Sequence, residues 1–329
     1  MFNVRTIAMG YNAVYLVEMA GRRVLVDAGP DFEGAAEAVV AATEGQRPEF
    51  VIVTHGHNDH AGLGKWWQEE GGALVFVSRE DAALVRAPHF SKAGEFDAFT
   101  DYLAASGAPP ALQQGLVRSL EGRRDWVQRA SRTGKYRPAR RGERWPTSLH
   151  FEPFEPDLLW DGTKFGDLVT VLCPGHTPGN VVLVEPDEGL LFSGDQLLPD
   201  ITPTPGIQFV LDGSGGWVRF PSLPRFVASL ERLRSYHFSR CYPGHGEPFD
   251  NVSETIEQNL TQIEQRTGRV LAELRLAGEA SVHELSERLY PRALSRRWWQ
   301  IVATIQGHLD LVAARGLASE HEGVWRATP

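Results

Sequence analysis

Three histidines and an aspartate lie within six consecutive residues of this chain, at His55, His57, Asp59 and His60. A short apolar, β-branched run over 49–53 precedes them and is typical of a buried parallel strand. The segment that starts at Ala61 can begin a helix. The sequence therefore predicts the cluster at the carboxyl end of a strand, where open α/β sheets carry their functional groups.

The spacing of these four side chains favours two metal ions over one. His55 and His57 are two apart on an extended segment, so they can point the same way. Asp59 and His60 fall on the turn into the helix and point elsewhere. Imidazole and carboxylate ligands suit Zn²⁺ first, with Fe or Mn as alternatives. Since the chain has only 11 histidines in 329 residues, three within six residues are not expected by chance.

The H-x-H-x-D-H pattern at 55–60 resembles the signature of the metallo-β-lactamase superfamily. Three later segments match other motifs of that family: Gly175–Gly179, Ser193–Asp195 and Pro243–Gly246. They supply the candidate ligands His176, Asp195 and His245. All seven ligand positions of the family are thus present, in the expected order.

The resemblance implies a dinuclear metal site. The first metal would be held by His55, His57 and His176. The second would be held by Asp59, His60 and His245. Asp195 would bridge the two, because a carboxylate can bind one metal through each oxygen. The implied reaction uses a metal-bridging hydroxide as the nucleophile, with Asp59 beside it as the orienting base or proton shuttle.

The resemblance also implies an α/β fold, the αββα metallo-β-lactamase sandwich, over residues 1–250. A helical insertion over about 79–148 interrupts it, with predicted helices at 80–86, 95–106 and 110–130. The remaining residues, 251–329, resemble a small winged-helix C-terminal domain. Its predicted elements are helices over 252–276, 281–289 and 295–315 and a β-wing over 317–327.

Other elements of the first 250 residues follow from periodicity and turn residues. Strands are predicted at 12–17, 23–27, 73–77 and 168–172, and a hairpin at 181–185 and 189–193. Helices are predicted at 31–43, 63–70 and within 221–237. Residues 157–162 read as an edge turn, and the proline-rich segment 199–206 as a loop on the rim of the site.

Two features near the predicted site have more than one interpretation. Asp27 ends a strand, and the resemblance implies that it supports the metal loop. The alternative is that it makes turn hydrogen bonds, and both can hold. Five aromatic residues of the insertion either line an apolar substrate pocket or pack the insertion's helices together: Phe90, Phe96, Phe99, Tyr102 and Trp126. Cys173 and Cys241 precede metal motifs, and we expect both to be buried, inert thiols.

A basic stretch over residues 118–144 contrasts with the formal net charge of −9, because it has ten Lys and Arg residues against three acids. It could bind a carboxylate, a phosphate or an RNA backbone, or be a solvated or homodimer-contacting loop. The overall charge disfavours broad nucleic-acid binding. The third C-terminal helix is apolar over Trp298–Ile305, which disfavours duplex DNA reading.

Composition indicates a cytoplasmic protein. Two cysteines form no disulfide framework, which fits a reducing compartment. The N-terminus lacks the pattern of a signal peptide. No apolar run approaches the roughly 18 residues of a membrane span.

Differences between this sequence and known members of the family narrow the expected substrate class. Quorum-signal lactonases have a helper tyrosine a few residues after the bridging aspartate. Here Gln196, Leu197 and Leu198 follow Asp195, so that helper is absent. The C-terminal region differs from that of glyoxalase II, and Asp195 disfavours penicillin hydrolysis. We expect a hydrolase of an ester, thioester or lactone of a small acyl substrate. The alternative is a single-strand endoribonuclease or phosphodiesterase. A mononuclear iron sulfur dioxygenase, using only His55, His176 and Asp195, is disfavoured by the complete second ligand set.

Overall fold

The protein is described by a computed structural model that covers residues 2–10, 12–19, 21–87, 94–129 and 150–328, with the backbone alone at 120 and 122–129. The insertion's Phe90 and the basic residues beyond Arg129 lie outside these ranges, as does the side chain of Trp126. The interpretations of these residues therefore stay predictions.

The first sheet has six strands in the order β1 to β6. They are β1 (Asn3–Met9), β2 (Asn12–Met19), β3 (Arg22–Val26), β4 (Phe50–Ile52), β5 (Leu74–Ser78) and β6 (Asp157–Leu159). The first three are antiparallel neighbours, and β3 to β6 are parallel. The carboxyl ends of β3, β4 and β5 therefore meet at one edge, next to the histidine cluster.

The second sheet has five strands in the order β13-β10-β9-β8-β7. They are β7 (Lys164–Phe165), β8 (Leu168–Leu172), β9 (Val181–Glu185), β10 (Leu190–Gly194) and β13 (Arg240–Pro243). Strand β13 runs parallel to β10, and the other neighbours are antiparallel. The loops after β10 and β13 consequently leave the sheet side by side.

Three apolar layers hold the two sheets and their helices together. Side chains such as Tyr15 and Ile52 meet Leu183 and Phe192 between the sheets. The outer face of the first sheet packs on helix α1 (Ala35–Ala42) and on Trp67. The second sheet packs on α7 (Ser222–Arg234) and α8 (Val252–Ala277). This layering confirms the predicted αββα sandwich.

The described part of the insertion contains three helices, which are α4 (Ala82–Arg86), α5 (Glu95–Ala105) and α6 (Pro110–Arg129). Phe99 and Leu103 of α5 share a buried cluster with Leu274, Ile305 and other residues of the C-terminal segment. Phe99 is 1% exposed, so it packs against its neighbours and does not line an open pocket. The insertion is thus anchored on the C-terminal helices.

The C-terminal segment contains three helices and a small sheet. The helices are α8, α9 (Val282–Leu289) and α10 (Leu294–Ala314). The strands β14 (Glu279–Ala280), β15 (Ala318–His321) and β16 (Val324–Ala327) pair antiparallel in the order β14-β16-β15. The winged-helix assignment and the domain boundary at residue 250 stay predictions.

Several local expectations need correction. The predicted edge turn over 157–162 begins as strand β6, because Asp157–Leu159 align with Phe76–Ser78 of β5. The helix predicted over 63–70 begins earlier, at Asn58, since the His57 carbonyl accepts a hydrogen bond from the Ala61 N–H. It is divided into α2 (Asn58–Ala61), α3 (Gly64–Trp66) and a π-helical turn over Trp67–Gly71.

Several elements were not predicted. They include strand β1 and a hairpin formed by β11 (Gln208–Leu211) and β12 (Trp217–Phe220). Among the described residues, no helix combines the length and apolar character needed to cross a membrane.

Candidate metal centre

His55, His57 and His176 bring three ring nitrogens together at the edge of the first sheet. His57 Nδ1 lies 2.9 Å from His55 Nε2 and 3.1 Å from His176 Nε2. Four ligands at the usual zinc–nitrogen distance stand about 3.3 Å apart in a tetrahedron. The spacing of these nitrogens is close to that value, so the trio could hold one metal ion.

Asp59, His60 and His245 form a second trio. Asp59 Oδ2 lies 3.4 Å from His245 Nε2 and 3.7 Å from His60 Nε2. These donor atoms also lie close enough together to hold a metal ion. The two trios come from both sheets, because His176 and His245 follow strands of the second sheet and the others follow β4 of the first.

Asp195 stands between the two trios, at the end of β10. Its Oδ1 is 3.4 Å from His60 Nε2 and 3.3 Å from His245 Nε2. Its Oδ2 is 3.4 Å from His176 Nε2. Oδ1 is buried and makes no hydrogen bond. One oxygen thus faces each trio, which is the arrangement that a bridging carboxylate requires.

Gly244 leaves room for this arrangement. A Cβ atom at this position would lie 2.6 Å from His60 Cε1 and 2.8 Å from Asp195 Oδ1. Any other residue would therefore push a ring or a carboxylate out of place. This close approach explains the first glycine of the Pro-Gly-His-Gly motif.

Burial favours the neutral form of two histidines of the first trio, His55 and His176. Burial lowers the pKa of His55 well below its ordinary value. Burial likewise lowers the pKa of His176, to about 3. A metal binds the lone pair of a neutral imidazole, so both rings are in the protonation state that ligation needs.

The second trio is surrounded by carboxylates. Burial alone would lower the pKa of His60, but the charges of Asp27, Asp195 and Asp59 raise it well above its ordinary value. The pKa of His245 is raised to about 10, because Asp195 and Asp59 outweigh the effect of burial. So much buried negative charge requires a compensating cation. Protons on the two rings or a metal ion between them would both supply it.

Asp27 orients His60 from behind. Its Oδ2 lies 2.8 Å from His60 Nδ1, and its Oδ1 accepts a 2.7 Å hydrogen bond from the Thr54 N–H. This leaves His60 Nε2 facing the centre. Asp27 has a φ of 66°, a conformation uncommon outside glycine. Its carboxylate therefore supports the metal loop, as one of the two interpretations of the sequence proposed.

Asp81 is a buried residue that the sequence analysis missed. Its carboxylate accepts hydrogen bonds from the Gly56 N–H at 2.9 Å, the Thr177 hydroxyl at 2.6 Å and the Gly179 N–H at 2.6 Å. It therefore joins the two loops that contribute the first trio. One signal was available, because Asp81 lies just beyond the carboxyl end of β5, the strand next to β4.

Asn12 is a second residue that the sequence analysis missed. Its side-chain amide donates to the Asp59 carbonyl at 3.0 Å, and the next residue, Ala13, donates its N–H to the Gly244 carbonyl at 2.9 Å. The start of β2 thus ties together the loops that carry Asp59 and His245. Its position at the start of a predicted strand gave no hint of this role.

Neither cysteine belongs to a cluster of ligand atoms among the described residues. Cys173 and Cys241 are both fully buried. Burial raises the pKa of each thiol to about 12. Both therefore stay protonated near neutral pH, as inert thiols do.

Comparison with known proteins identifies the family. The family model described as "Metallo-beta-lactamase superfamily" matches residues 9–245. The chain belongs to the metallo-β-lactamase superfamily. Members of this superfamily bind divalent metals, and the clustered histidines and aspartates are the candidate ligands here. The protein is a metal-dependent hydrolase.

Similar proteins support this assignment along most of the chain. The probable metallo-hydrolase YqjP of Bacillus subtilis (strain 168) is 25% identical over 96% of this chain and 92% of its own length. The acyl-coenzyme A thioesterase MBLAC2 of Gallus gallus is 27% identical over 72% of this chain and 73% of its own. The crystal structure of a metallo-β-lactamase family protein from Thermus thermophilus has a TM-score of 0.72 at 22% identity, covering 99% and 98% of the two chains.

Proposed function

We propose that the protein is a dinuclear-metal hydrolase of an ester, thioester or lactone of a small acyl substrate. The observation that carries the proposal is Asp195, whose carboxylate presents one oxygen to each trio of ligands. Two metal sites that share a carboxylate are typical of hydrolytic centres that activate water.

In this proposal the seven residues divide as the sequence analysis expected. His55, His57 and His176 hold one divalent ion. Asp59, His60 and His245 hold the other, and Asp195 bridges the pair. Nitrogen and carboxylate donors suit Zn²⁺ first, with Fe or Mn as alternatives.

The bound ions would supply a water of lowered pKa and polarise the electrophilic carbonyl. The chain's own residues position the water and the metal ligands and transfer the proton. Asp59 belongs to the second trio and lies in the first turn of α2. Its carboxylate can orient the attacking water and accept its proton. Asp27 and Asp81 hold the loops in register by the hydrogen bonds described above, which keeps the ligand atoms converged before substrate arrives.

An acyl substrate is supported by the similarity to the Gallus gallus protein named as an acyl-coenzyme A thioesterase. Among the acyl classes this favours a thioester. The endoribonuclease alternative depends on the basic stretch, and most of that stretch lies outside the described ranges. No described residue favours it. RNA therefore enters as a control substrate.

The test is a turnover screen on protein of known metal content. Thioesters, esters and lactones are compared with a fluorescent single-stranded RNA, and Asp195→Ala serves as the inactive control. We expect turnover of acyl compounds, thioesters foremost, and none in the variant. Cleavage of RNA alone, falling steeply with salt, would contradict the acyl assignment. Full turnover by Asp195→Ala would contradict the dinuclear centre.

A further inference from the structure

The β11–β12 hairpin stands beside the metal centre and has two distinct faces. Directly opposite residues of antiparallel strands share a face. The pairing of Gln208 with Phe220 and of Val210 with Val218 therefore forms one face, called here the valine face. The other face carries Phe209, Leu211, Trp217 and Arg219.

The second face is occupied by the protein's own interior. The Phe209 ring is 6.5 Å from that of Phe99 and 6.2 Å from that of Tyr102, both on α5. Arg219 makes a two-pronged ion pair with the buried Asp310 of α10. The hairpin is thus fixed from one side by the insertion and by the C-terminal helices.

One end of the valine face contacts a loop that carries a candidate metal ligand. Gln208 Nε2 donates a 2.6 Å hydrogen bond to the backbone carbonyl of His176. At the other end of this face, the Val218 side chain is 43% exposed. None of its four residues is charged. Gln208 therefore joins this face to the loop of a candidate ligand, and the other three residues of the face are apolar and at least partly exposed.

We propose that the valine face is the wall against which the acyl chain of the substrate lies. The proposal rests on the proposed function, because it needs an acyl carbonyl at the metal centre. From that position, a chain extending past His176 would meet Val210, Val218 and Phe220. An uncharged apolar strip suits an alkyl chain and offers no partner to a phosphate or a sugar.

The wall predicts a preference for longer acyl chains. Each methylene that leaves water for apolar contact favours binding by about fourfold. We therefore expect kcat/KM to rise from acetyl to butanoyl to octanoyl pantetheine thioesters. The rise should stop where the chain passes the end of the hairpin.

The two exposed apolar residues of the hairpin provide a matched pair of variants. Val218 is 43% exposed on the valine face, and Leu211 is 57% exposed on the opposite face. Val218→Asn should lower kcat/KM for the octanoyl thioester roughly 15-fold, the loss expected when about two methylenes lose apolar contact. The loss for the acetyl thioester should be smaller, because its short chain makes less contact with the valine face. Leu211→Asn should keep the wild-type ratio between the two substrates.

Binding provides a readout that does not depend on turnover. Calorimetry with the non-hydrolysable S-octyl and S-ethyl thioethers of pantetheine should show tighter binding of the octyl compound to the wild type. Val218→Asn and Val210→Asn should both reduce that difference, and Leu211→Asn should not. Metal content and thermal stability identify any variant that has not folded. If one valine variant does not fold, the other one tests the proposal.

Three results would overturn the wall. Acyl turnover without dependence on chain length would do so while leaving the proposed function intact. An unchanged octanoyl-to-acetyl ratio in both valine variants would do the same. If the wild type hydrolyses no acyl compound, the proposed function fails, and the wall fails with it.

Discussion

At the scale of single residues, the centre depends on side chains that bind no metal themselves. His60 is completely buried and has a carboxylate at each end of its ring, Asp27 at Nδ1 and Asp195 near Nε2. Asp27 orients the His60 ring by a hydrogen bond, and Asp81 holds two loops together in the same way. The candidate ligands were recognisable in the sequence from their spacing. Asn12 was not, because it acts through tertiary contacts that no local pattern encodes, and the signal for Asp81 was only its position just beyond the carboxyl end of β5.

Replacing Asp27 should weaken metal binding. In Asp27→Asn, one oxygen remains to serve both the Thr54 N–H and His60, so the ring loses its fixed orientation. We expect metal affinity to fall roughly 10- to 100-fold, measured by competition with a chromophoric chelator. Asp167→Asn, at an exposed turn, is the control and should bind metal as the wild type does. Equal affinity in both variants would contradict the supporting role of Asp27.

His308 should make the stability of the fold depend on pH. Burial and Arg266 lower its pKa to about 4, against the opposing charge of Glu264. Its Nδ1 lies 2.8 Å from the Thr267 hydroxyl. The unfolded chain takes up a proton near its ordinary pKa of about 6.5, and the folded ring resists it. The stabilisation is therefore complete above about pH 6.5 and is lost as the pH falls towards 4.

Urea unfolding of the wild type and His308→Gln tests this dependence. Glutamine can keep a hydrogen bond to Thr267 but does not titrate. Between pH 7 and pH 5, the free energy of unfolding of the wild type should fall by about 2 kcal/mol more than that of the variant. Parallel curves for the two proteins would show that His308 has no part in the pH dependence.

At the scale of elements, the sequence predicted most helices and strands but missed β1 and the β11–β12 hairpin. Strand β1 is an edge strand in which most residues are exposed or half-buried, so it lacks a buried apolar run. The hairpin follows a proline-rich loop and is held by partners far away in sequence, α5 and α10. Local periodicity does not predict elements that are fixed by distant contacts. It does predict the strongly apolar strands that precede the candidate metal loops.

The hairpin should depend on the Arg219–Asp310 ion pair. Asp310 is 8% exposed and also accepts a 2.8 Å hydrogen bond from Gln306. Arg219→Met leaves this carboxylate buried without its charged partner, and we expect a loss of about 3 kcal/mol in the free energy of unfolding. Adding Asp310→Leu should restore part of it, since no uncompensated charge is then buried. A double-mutant cycle measures both, and simple additivity of the two losses would contradict the direct pairing.

At the scale of the whole molecule, the core continues across residue 250. Leu223 and Phe226 of α7 pack in one cluster with Ile256 and Ile263 of α8. A second cluster joins Phe99 of the insertion to the C-terminal helices. The sequence indicated a domain boundary near residue 250 from a change in pattern, and that boundary stays a prediction. Packing across residue 250 could not be predicted, because local periodicity does not reveal which segments share a core.

Removal of residues 251–329 should therefore prevent stable folding. The fragment 1–250 exposes the apolar sides of α5, α7 and the hairpin that the C-terminal helices cover. We expect it to aggregate, or to show no cooperative unfolding transition, when prepared beside the full chain. A soluble fragment with a sharp transition and full metal content would contradict the shared core.

Metal stoichiometry distinguishes a pair of metal ions joined by Asp195 from a single ion. The full chain and its Asp195→Ala variant are each loaded with Zn²⁺, dialysed, and assayed for metal per chain by mass spectrometry. We expect two ions per wild-type chain and a loss of metal in the variant, together with its turnover. One ion per wild-type chain, or two ions retained in Asp195→Ala, would contradict the dinuclear centre.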